Sequence, residues 1–262
     1  MFNDNPPAVE RAIQILELIA TSTNSLSLKE LSDQLEIPSA SAYRIVKCLQ
    51  GYGYIREAQF ESNKYRLGYK ISFLAENMNA DNDLIYIAKP YLQNLSEKTG
   101  HACQLGILLS DCATIIDQAI PKNSITIIAK FWENIPINIS ASGKLLTAMM
   151  PTEERKAFIA KAWKLVSKVT PYTVTDMNYF LKEIDTIRGQ QYATDFEEYS
   201  IGIGCIAVPV YDYTNNAIAA LGLTGHIIDY KDKEQFEFML NLLRQASKEV
   251  SEKLGNMMRV GT

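Results

Sequence analysis

Apolar positions in the first fifty residues recur at helical spacing. Val9, Ala12, Ile13, Leu16, Ile19 and Ala20 fall on one face of a first helix. Ahead of it, Asn5-Pro6-Pro7 reads as an extended lead-in, with prolines before the helix rather than inside it. Thr21 to Leu26 is a polar connection, and Ser27-Leu28-Lys29-Glu30 then matches a capping box, in which Ser27 and Glu30 satisfy amides that a helix start leaves free. Leu28, Leu31 and Leu35 form the apolar side of this short second helix. Glu36-Ile37 turns the chain tightly, and Pro38 opens a third helix running to Leu49. Its inner face is Ala42, Ile45, Val46 and Leu49; its outer face is Ser39, Ser41, Tyr43, Arg44 and Lys47. Two short helices joined in this way need the first helix to cover them, which is the tri-helical helix-turn-helix arrangement. Gly51-Tyr52-Gly53-Tyr54 ends the third helix. Tyr54 to Arg56 and Lys64 to Leu67 then read as two strands around a polar tip, with Tyr65 and Leu67 inward and Lys64 and Arg66 outward.

Behind this head the period changes. Tyr69 to Asn79 continues as a helix with Ile71, Phe73, Leu74 and Met78, breaks near Asn79-Ala80-Asp81, and resumes from Leu84 to Lys98 with Pro90 inside it. The apolar residues on this connector suggest contact with a second protomer, which a palindromic DNA site also requires. His101 to Leu109, Ala113 to Ile120 and Ser124 to Lys130 are strand-like. Helices follow at Ser142 to Met150, Thr152 to Trp163 and Met177 to Arg188. Strands at Ile203 to Tyr211 and Ala217 to Thr224 precede a final helix from Lys231 to Leu254. Strands at both ends with helices between them imply an α+β domain, its helices packed on a mostly antiparallel sheet.

Charge narrows the function only locally. The 262-residue chain carries a net charge of −4, so any affinity for nucleic acid must come from one surface. From Leu26 to Lys70 there are seven basic residues and five acidic ones, a weak excess that a dimer doubles. Arg44 can donate two hydrogen bonds to a guanine edge, and Tyr43 offers a hydroxyl and a ring. Ser39 and Ser41 can hold phosphates at a helix N-terminus, while Lys64 and Arg66 can reach the DNA backbone or minor groove. The same helices and hairpin also occur in protein–protein modules, so a scaffolding role for the helix-turn-helix stays open. Salt dependence of duplex affinity separates the two.

Four cysteines without a CxxC pair imply free thiols in a reducing compartment, and Cys48 reads as a core or boundary residue. The start, MFNDNPPAVE, lacks a signal-peptide pattern and no uncharged apolar run spans a bilayer, so a cytoplasmic protein without a membrane partner is expected. Catalysis has little support. The two histidines, His101 and His226, lack a metal motif, and neither a GxSxG elbow nor a Gly-rich phosphate loop is present. No catalytic residue, metal or cofactor is expected. Pocket-like features do stand out: Ser140-Ala141-Ser142-Gly143-Lys144 at a helix start, a loop with Asp195, Glu198 and Tyr199, and Gly202 to Cys205, Gly222 and Thr224. Each has a plain structural alternative: a helix cap for Ser140 or Ser142, an exposed Lys144, a core thiol at Cys205, a solvated loop edge for Asp195 and Glu198.

Taken together, VERAIQILELIA, LSLKELSDQLEIPSASAYRIVKCLQGYGYI and KYRLGYK in the head, with ISASGKLLTAM, IRGQQYATDFEEYSIGIGCIAVPVYD and AIAALGLTG in the rear, resemble the isocitrate-lyase-regulator (IclR) family of bacterial transcription factors over roughly residues 8 to 255. The resemblance implies a winged helix-turn-helix at 8–70, a linker helix at 71–85 and a GAF-like effector-binding domain at 86–258. It implies a homodimer or homotetramer on a double-stranded DNA operator, controlled by a small-molecule effector, an organic acid. It maps DNA contacts onto Ser39, Ser41, Tyr43, Arg44 and Lys47, with Lys64 and Arg66 on the wing. Effector contacts map onto Ala141, Ser142, Gly143, Asp195, Cys205, Leu221, Gly222 and Thr224. The family commonly has a basic residue where this chain has Ser39, and often a serine where it has Gly222. The second loss removes a hydroxyl and opens space for a bulkier, less polar ligand, with Ile107, Ile127, Ile128 and Trp132 as candidates for an apolar wall.

Overall fold

The structure is a computed structural model that describes residues 6–58, 61–74, 83–122 and 130–256. The chain divides into two compact units, Met1–Asn82 and Asp83–Thr262.

In the first unit α1 (Pro7–Thr21), α2 (Leu28–Gln34) and α3 (Ser39–Gly51) enclose a small core of Ile15, Ile19, Leu31, Ala42, Val46, Ile55 and Tyr65. The capping box at the start of α2 is formed: Ser27 Oγ accepts from Glu30 N at 3.3 Å, and Ser27 N donates to Glu30 Oε2 at 2.7 Å. The turn into α3 takes Glu36 through a left-handed φ of 52° and is held by Ser32 Oγ donating to Ile37 O at 2.6 Å. Pro38 is the residue before α3, not its first turn, because its ψ of 130° is extended. Leu26–Ser27, expected as the end of a connection, form a short strand β1. It pairs with β3 (Glu61–Leu67), which also pairs with β2 (Ile55–Ala58), so the wing is a three-stranded antiparallel sheet. Residues 69–74 begin a further helix, α4. The rest of the expected linker, residues 75–82, lies outside the described residues.

Two expectations for this unit change. Val9 and Ile13 sit on the apolar stripe of α1 yet stay 54% and 50% exposed, because the three-helix core ends at Ile15 and Ile19. Cys48 is exposed, not a core residue. It lies four residues after Arg44 and so shares its outward face.

In the second unit β4 (Ala102–Leu109), β5 (Cys112–Ala119), β6 (Ala193–Phe196), β7 (Ile203–Tyr211) and β8 (Ala217–His226) make one antiparallel sheet in the order β5-β4-β8-β7-β6. Helices cover both faces. α5 (Asp83–Thr99) and α10 (Lys233–Lys253) pack on one face, over Leu105, Val208, Leu221 and Leu223. α6 (Ala141–Met149) and α8 (Met177–Gln190) pack on the other, over Ala207 and Ala220, with α7 (Thr152–Ala162) behind them. A short α9 (Ile227–Lys231) joins β8 to α10. Strand alternation divides β8 between the two cores: Leu221 and Leu223 to one, Ala220, Gly222 and Thr224 to the other side. Asp195, expected on a loop, lies on the four-residue edge strand β6. The strand expected at 124–130 falls mainly on residues 123–129, outside the described ones.

Replacing Ser27 by alanine removes a helix cap and is expected to lower the stability of the first unit by about 1 kcal/mol. Denaturant unfolding of the full chain measures it, and an unchanged midpoint for the first transition contradicts the role given to this cap.

Candidate functional site

Two places concentrate the expected functional residues. The first is the outer face of α3. Tyr43, Arg44 and Lys47 are all exposed there. Lys47 Nζ stands 5.9 Å from the Tyr43 ring centroid and donates to Gln50 Oε1 at 3.1 Å. Arg44 has no hydrogen bond or ion pair among the described residues. No side chain caps the N-terminus of α3; Ser39 Oγ lies 3.1 Å from Ser32 Oγ, and Ser41 is half-buried. The wing differs. Lys64 is paired to Glu61 at 2.9 Å, and Arg66 Nε donates to Ser25 Oγ at 3.0 Å. Lys64 and Arg66 are therefore engaged within the unit, whereas the α3 guanidinium is open to an external acceptor.

The second place is a cavity of about 150 Å³ between the first turn of α6 and the sheet. Ala141, Ser142, Asp195, Cys205, Gly222 and Thr224 all line it. Ser140 caps α6 by accepting from Gly143 N at 3.2 Å. The amides of Ala141 and Ser142 have no carbonyl within the helix to bond, as at any helix start, and the helix dipole adds positive potential there. Gly143 does not line the cavity; it sets the position of α6. A Cβ on it meets Ile137 Cα at 2.9 Å, so only a glycine lets the helix sit this close to the 3-10 turn Ile137–Ile139. Leu221 is likewise absent from the lining; its side chain packs into the opposite core.

A polar row crosses the cavity floor. Thr224 Oγ1 donates to Gln104 Oε1 at 3.2 Å and lies 3.2 Å from Cys205 Sγ. Burial pushes the Cys205 thiol far up, so it sits there as a neutral group. Asp195 pairs with Cys205 in the β6–β7 register, and its Oδ1 accepts from Glu198 N at 2.7 Å and Tyr199 N at 3.4 Å. Burial pushes the Asp195 carboxyl up to about 6, against the pull of the Lys144 charge and those two donors. Gln104 also lines the cavity, although its position on β4 carries no local motif in the sequence. Two of the residues expected in the apolar wall lie elsewhere. Ile107 packs into the opposite core and Trp132 is exposed, while Ile115, Ile135 and Ile139 do the lining; Ile127 and Ile128 lie outside the described residues.

Directly after Gly143 comes Lys144, expected at the surface and found fully enclosed. Its Nζ is 2.7 Å from Glu183 Oε1 on α8, and 2.8 and 2.7 Å from the two carboxylate oxygens of Glu198. Burial opposes the Lys144 charge, but the Glu198 and Glu183 carboxylates outweigh it and raise the ammonium above its ordinary range. Burial likewise moves Glu198 up, to about 7. Among the described residues, no group of three or more His, Cys, Asp or Glu side chains is arranged to hold a metal ion, and no helix is long and apolar enough to cross a membrane.

Lys144→Ala leaves the buried Glu198 carboxylate and the half-buried Glu183 without their cation, and breaking such a buried pair costs about 3–5 kcal/mol. Urea unfolding followed by far-UV circular dichroism is the measurement. A loss below about 1 kcal/mol, the range of exposed pairs, contradicts the buried arrangement.

Comparison with known proteins follows the same division. The helix-turn-helix model of the IclR family matches residues 8–58, and the model for the C-terminal region of IclR bacterial transcriptional regulators matches residues 78–252. The HTH-type transcriptional regulator XynR of Escherichia coli K12 is 30% identical over 248 residues, covering 95% of this chain and 97% of that protein. The crystal structure of Thermotoga maritima IclR is 25% identical with a TM-score of 0.74, covering 95% of this chain and 99% of that one. An IclR homolog from Microbacterium hydrocarbonoxydans, complexed with 4-hydroxybenzoate, is 21% identical with a TM-score of 0.82, covering 94% and 98%.

Proposed function

Because the chain belongs to the IclR family of bacterial transcriptional regulators, we propose that α3 reads an operator in the major groove and that the α6 cavity takes the effector controlling it. The observation that carries the first half is the exposed, uncommitted Arg44 beside Tyr43 and Lys47. A guanidinium with no internal partner is available for two hydrogen bonds to a guanine edge. Ser39, with the open amides of the first turn, and half-buried Ser41 sit where a phosphate approaches. Lys64 and Arg66 serve the DNA backbone after exchanging internal partners, which makes their contribution smaller than that of Arg44. Residues 8–70 act as the DNA-binding domain, 71–85 as the linker helix and 86–258 as a GAF-like effector domain in a cytoplasmic protein. The exposed Val9, Ile13, Tyr69 and Phe73 of the first unit favour a homodimer that presents two heads to a palindromic site, on which a tetramer can build.

The effector reading rests on the α6 terminus. The amides of Ala141 and Ser142 suit a carboxylate, so the ligand class is an organic acid. Asp195, Cys205, Thr224 and Gln104 line the cavity as hydrogen-bonding groups for the rest of the molecule. At the roughly 10–15 Å³ that one ordered water needs, the cavity of about 150 Å³ holds roughly ten water-sized groups, more than a two-carbon acid fills. Gly222 keeps that volume clear. The size is consistent with an acid built on an apolar or aromatic body, the kind of ligand the Microbacterium relative holds. Ligand binding changes DNA affinity by the ligand's differential affinity for two arrangements of the heads.

Arg44→Ala is expected to cost about 1–3 kcal/mol on the operator selected by the wild type from random duplexes. Wild-type affinity falls steeply with salt. Duplex affinity that ignores both salt and Arg44 points instead to a protein-contact role for the helix-turn-helix. Gly222→Ser places a Cβ 3.1 Å from Ile206 O and a hydroxyl in the cavity. The ratio of affinities for a three-carbon acid and 4-hydroxybenzoate is expected to move about tenfold toward the smaller acid. Calorimetry that finds the ratio unchanged removes Gly222 as a size determinant.

A further inference from the structure

The helix α6 serves the cavity and the buried ion cluster at once. Ala141 and Ser142 face the cavity, and two residues after Ser142 the Lys144 ammonium is held between Glu183 and Glu198. Glu198 connects back to the cavity, since its own N–H donates to Asp195 Oδ1 at 2.7 Å. One helix and one turn, residues 195–199, therefore tie a cavity carboxyl to an enclosed charge cluster.

The charges there do not balance. A single enclosed ammonium serves three carboxyls, Glu183, Glu198 and Asp195. Among the described residues, the other groups around Asp195 in the cavity bring no cation into the interior. They are Ser142 from α6, Cys205 from β7, Thr224 from β8, Gln104 from β4 and Tyr199 from the turn; Glu133 and an exposed Lys130 stand on the cavity rim. One Glu183 oxygen, Oε2, is buried without a hydrogen-bond partner among the described residues. Enclosed carboxylates with a cation short relieve the cost by binding a proton, and burial moves both Asp195 and Glu198 in that direction. An organic anion on the α6 amides then sets one more negative charge against Asp195.

Resting on the reading of the cavity as an organic-acid site, we propose that the cavity takes its anion together with one proton, held between the neighbouring Asp195 and Glu198 carboxyls, with Lys144 as the positioning residue that holds Glu198 and through it the turn carrying Asp195. The proton comes from solvent on binding and returns to it on release. Once protonated, Asp195 changes from an acceptor that repels a carboxylate into an O–H donor that bonds it. Where the pair already carries its proton, binding takes up none. Above that range it takes up one, and affinity falls as pH rises, by about tenfold per unit at the limit.

The test uses the full chain and 4-hydroxybenzoate as probe. Calorimetry in two buffers of different ionisation enthalpy, from about pH 5.5 to about pH 8.5, gives Kd and protons taken up. Uptake rising toward one, a Kd that weakens above neutral pH, and loss of both effects in Asp195→Asn support the proposal. Asparagine keeps the oxygen that accepts from Glu198 N and Tyr199 N, so the turn stays in place. Binding with a flat Kd and no uptake overturns the proposal and leaves the organic-acid reading standing. If the probe does not bind at any pH, that reading fails for this acid, and infrared titration of the ligand-free chain decides the proton. A protonated-carboxyl band that persists to near-neutral pH and is lost in Asp195→Asn or Glu198→Gln upholds the shared proton; its absence overturns it.

Discussion

An ammonium taken out of water has to be matched by charge, and much of the second unit is arranged around that requirement at Lys144. Its two partners come from separate elements, α8 and the turn after β6, 39 and 54 residues along the chain. Holding both fixes α8 against α6 and brings the edge strand β6 to the mouth of the cavity. Gly143 makes the matching possible, because its missing side chain lets α6 drop onto the 3-10 turn before it. The free amides of Ala141 and Ser142 then open into the cavity at the place where the sheet supplies Gln104, Cys205 and Thr224. A buried ion cluster is a costly way to gain stability, since well-packed apolar side chains do as well or better. Its presence beside a cavity is better understood as a means of holding a turn and a helix terminus in register.

The first unit follows a different logic. Its core is small and mostly apolar, and its polar groups serve local turns and caps, such as Ser27 with Glu30 and Ser32 with Ile37, or stand outward on α3. The wing spends Lys64 and Arg66 internally, on Glu61 and Ser25. Arg44 and Lys47 on α3 stand exposed on one rigid element, which suits recognition by that helix.

The sequence is most legible where structure is local. Helical spacing and a capping box place α1 to α3, and a run of alternating residues places the wing and the long strands. The strands β1 and β6 show no period of their own, so Ser27 looked like a cap alone and Asp195 like a loop residue. Parity is the other limit. Leu221 and Gly222 are adjacent in sequence, and only the pairing of β8 with β4 and β7 decides which of them meets the cavity. Lys144 is illegible for the plainest reason: nothing within ten residues of it signals its distant partners. Apolarity misleads at Val9 and Ile13, which obey the helical period yet lie beyond the core they were expected to join.

The division of β8 between two cores carries a consequence for how such a protein can change over generations. Ala220, Gly222 and Thr224 share the face under α6, where Gly222 and Thr224 line the cavity, and the side chains of Leu221 and Leu223 pack under α5 and α10. Inserting or deleting one residue in this strand exchanges the two sets, sending leucines into the cavity and a threonine into an apolar core. New ligand preferences in this scaffold are therefore reached by exchanging one side chain for another at fixed strand length, while changes of length are confined to the turns between strands.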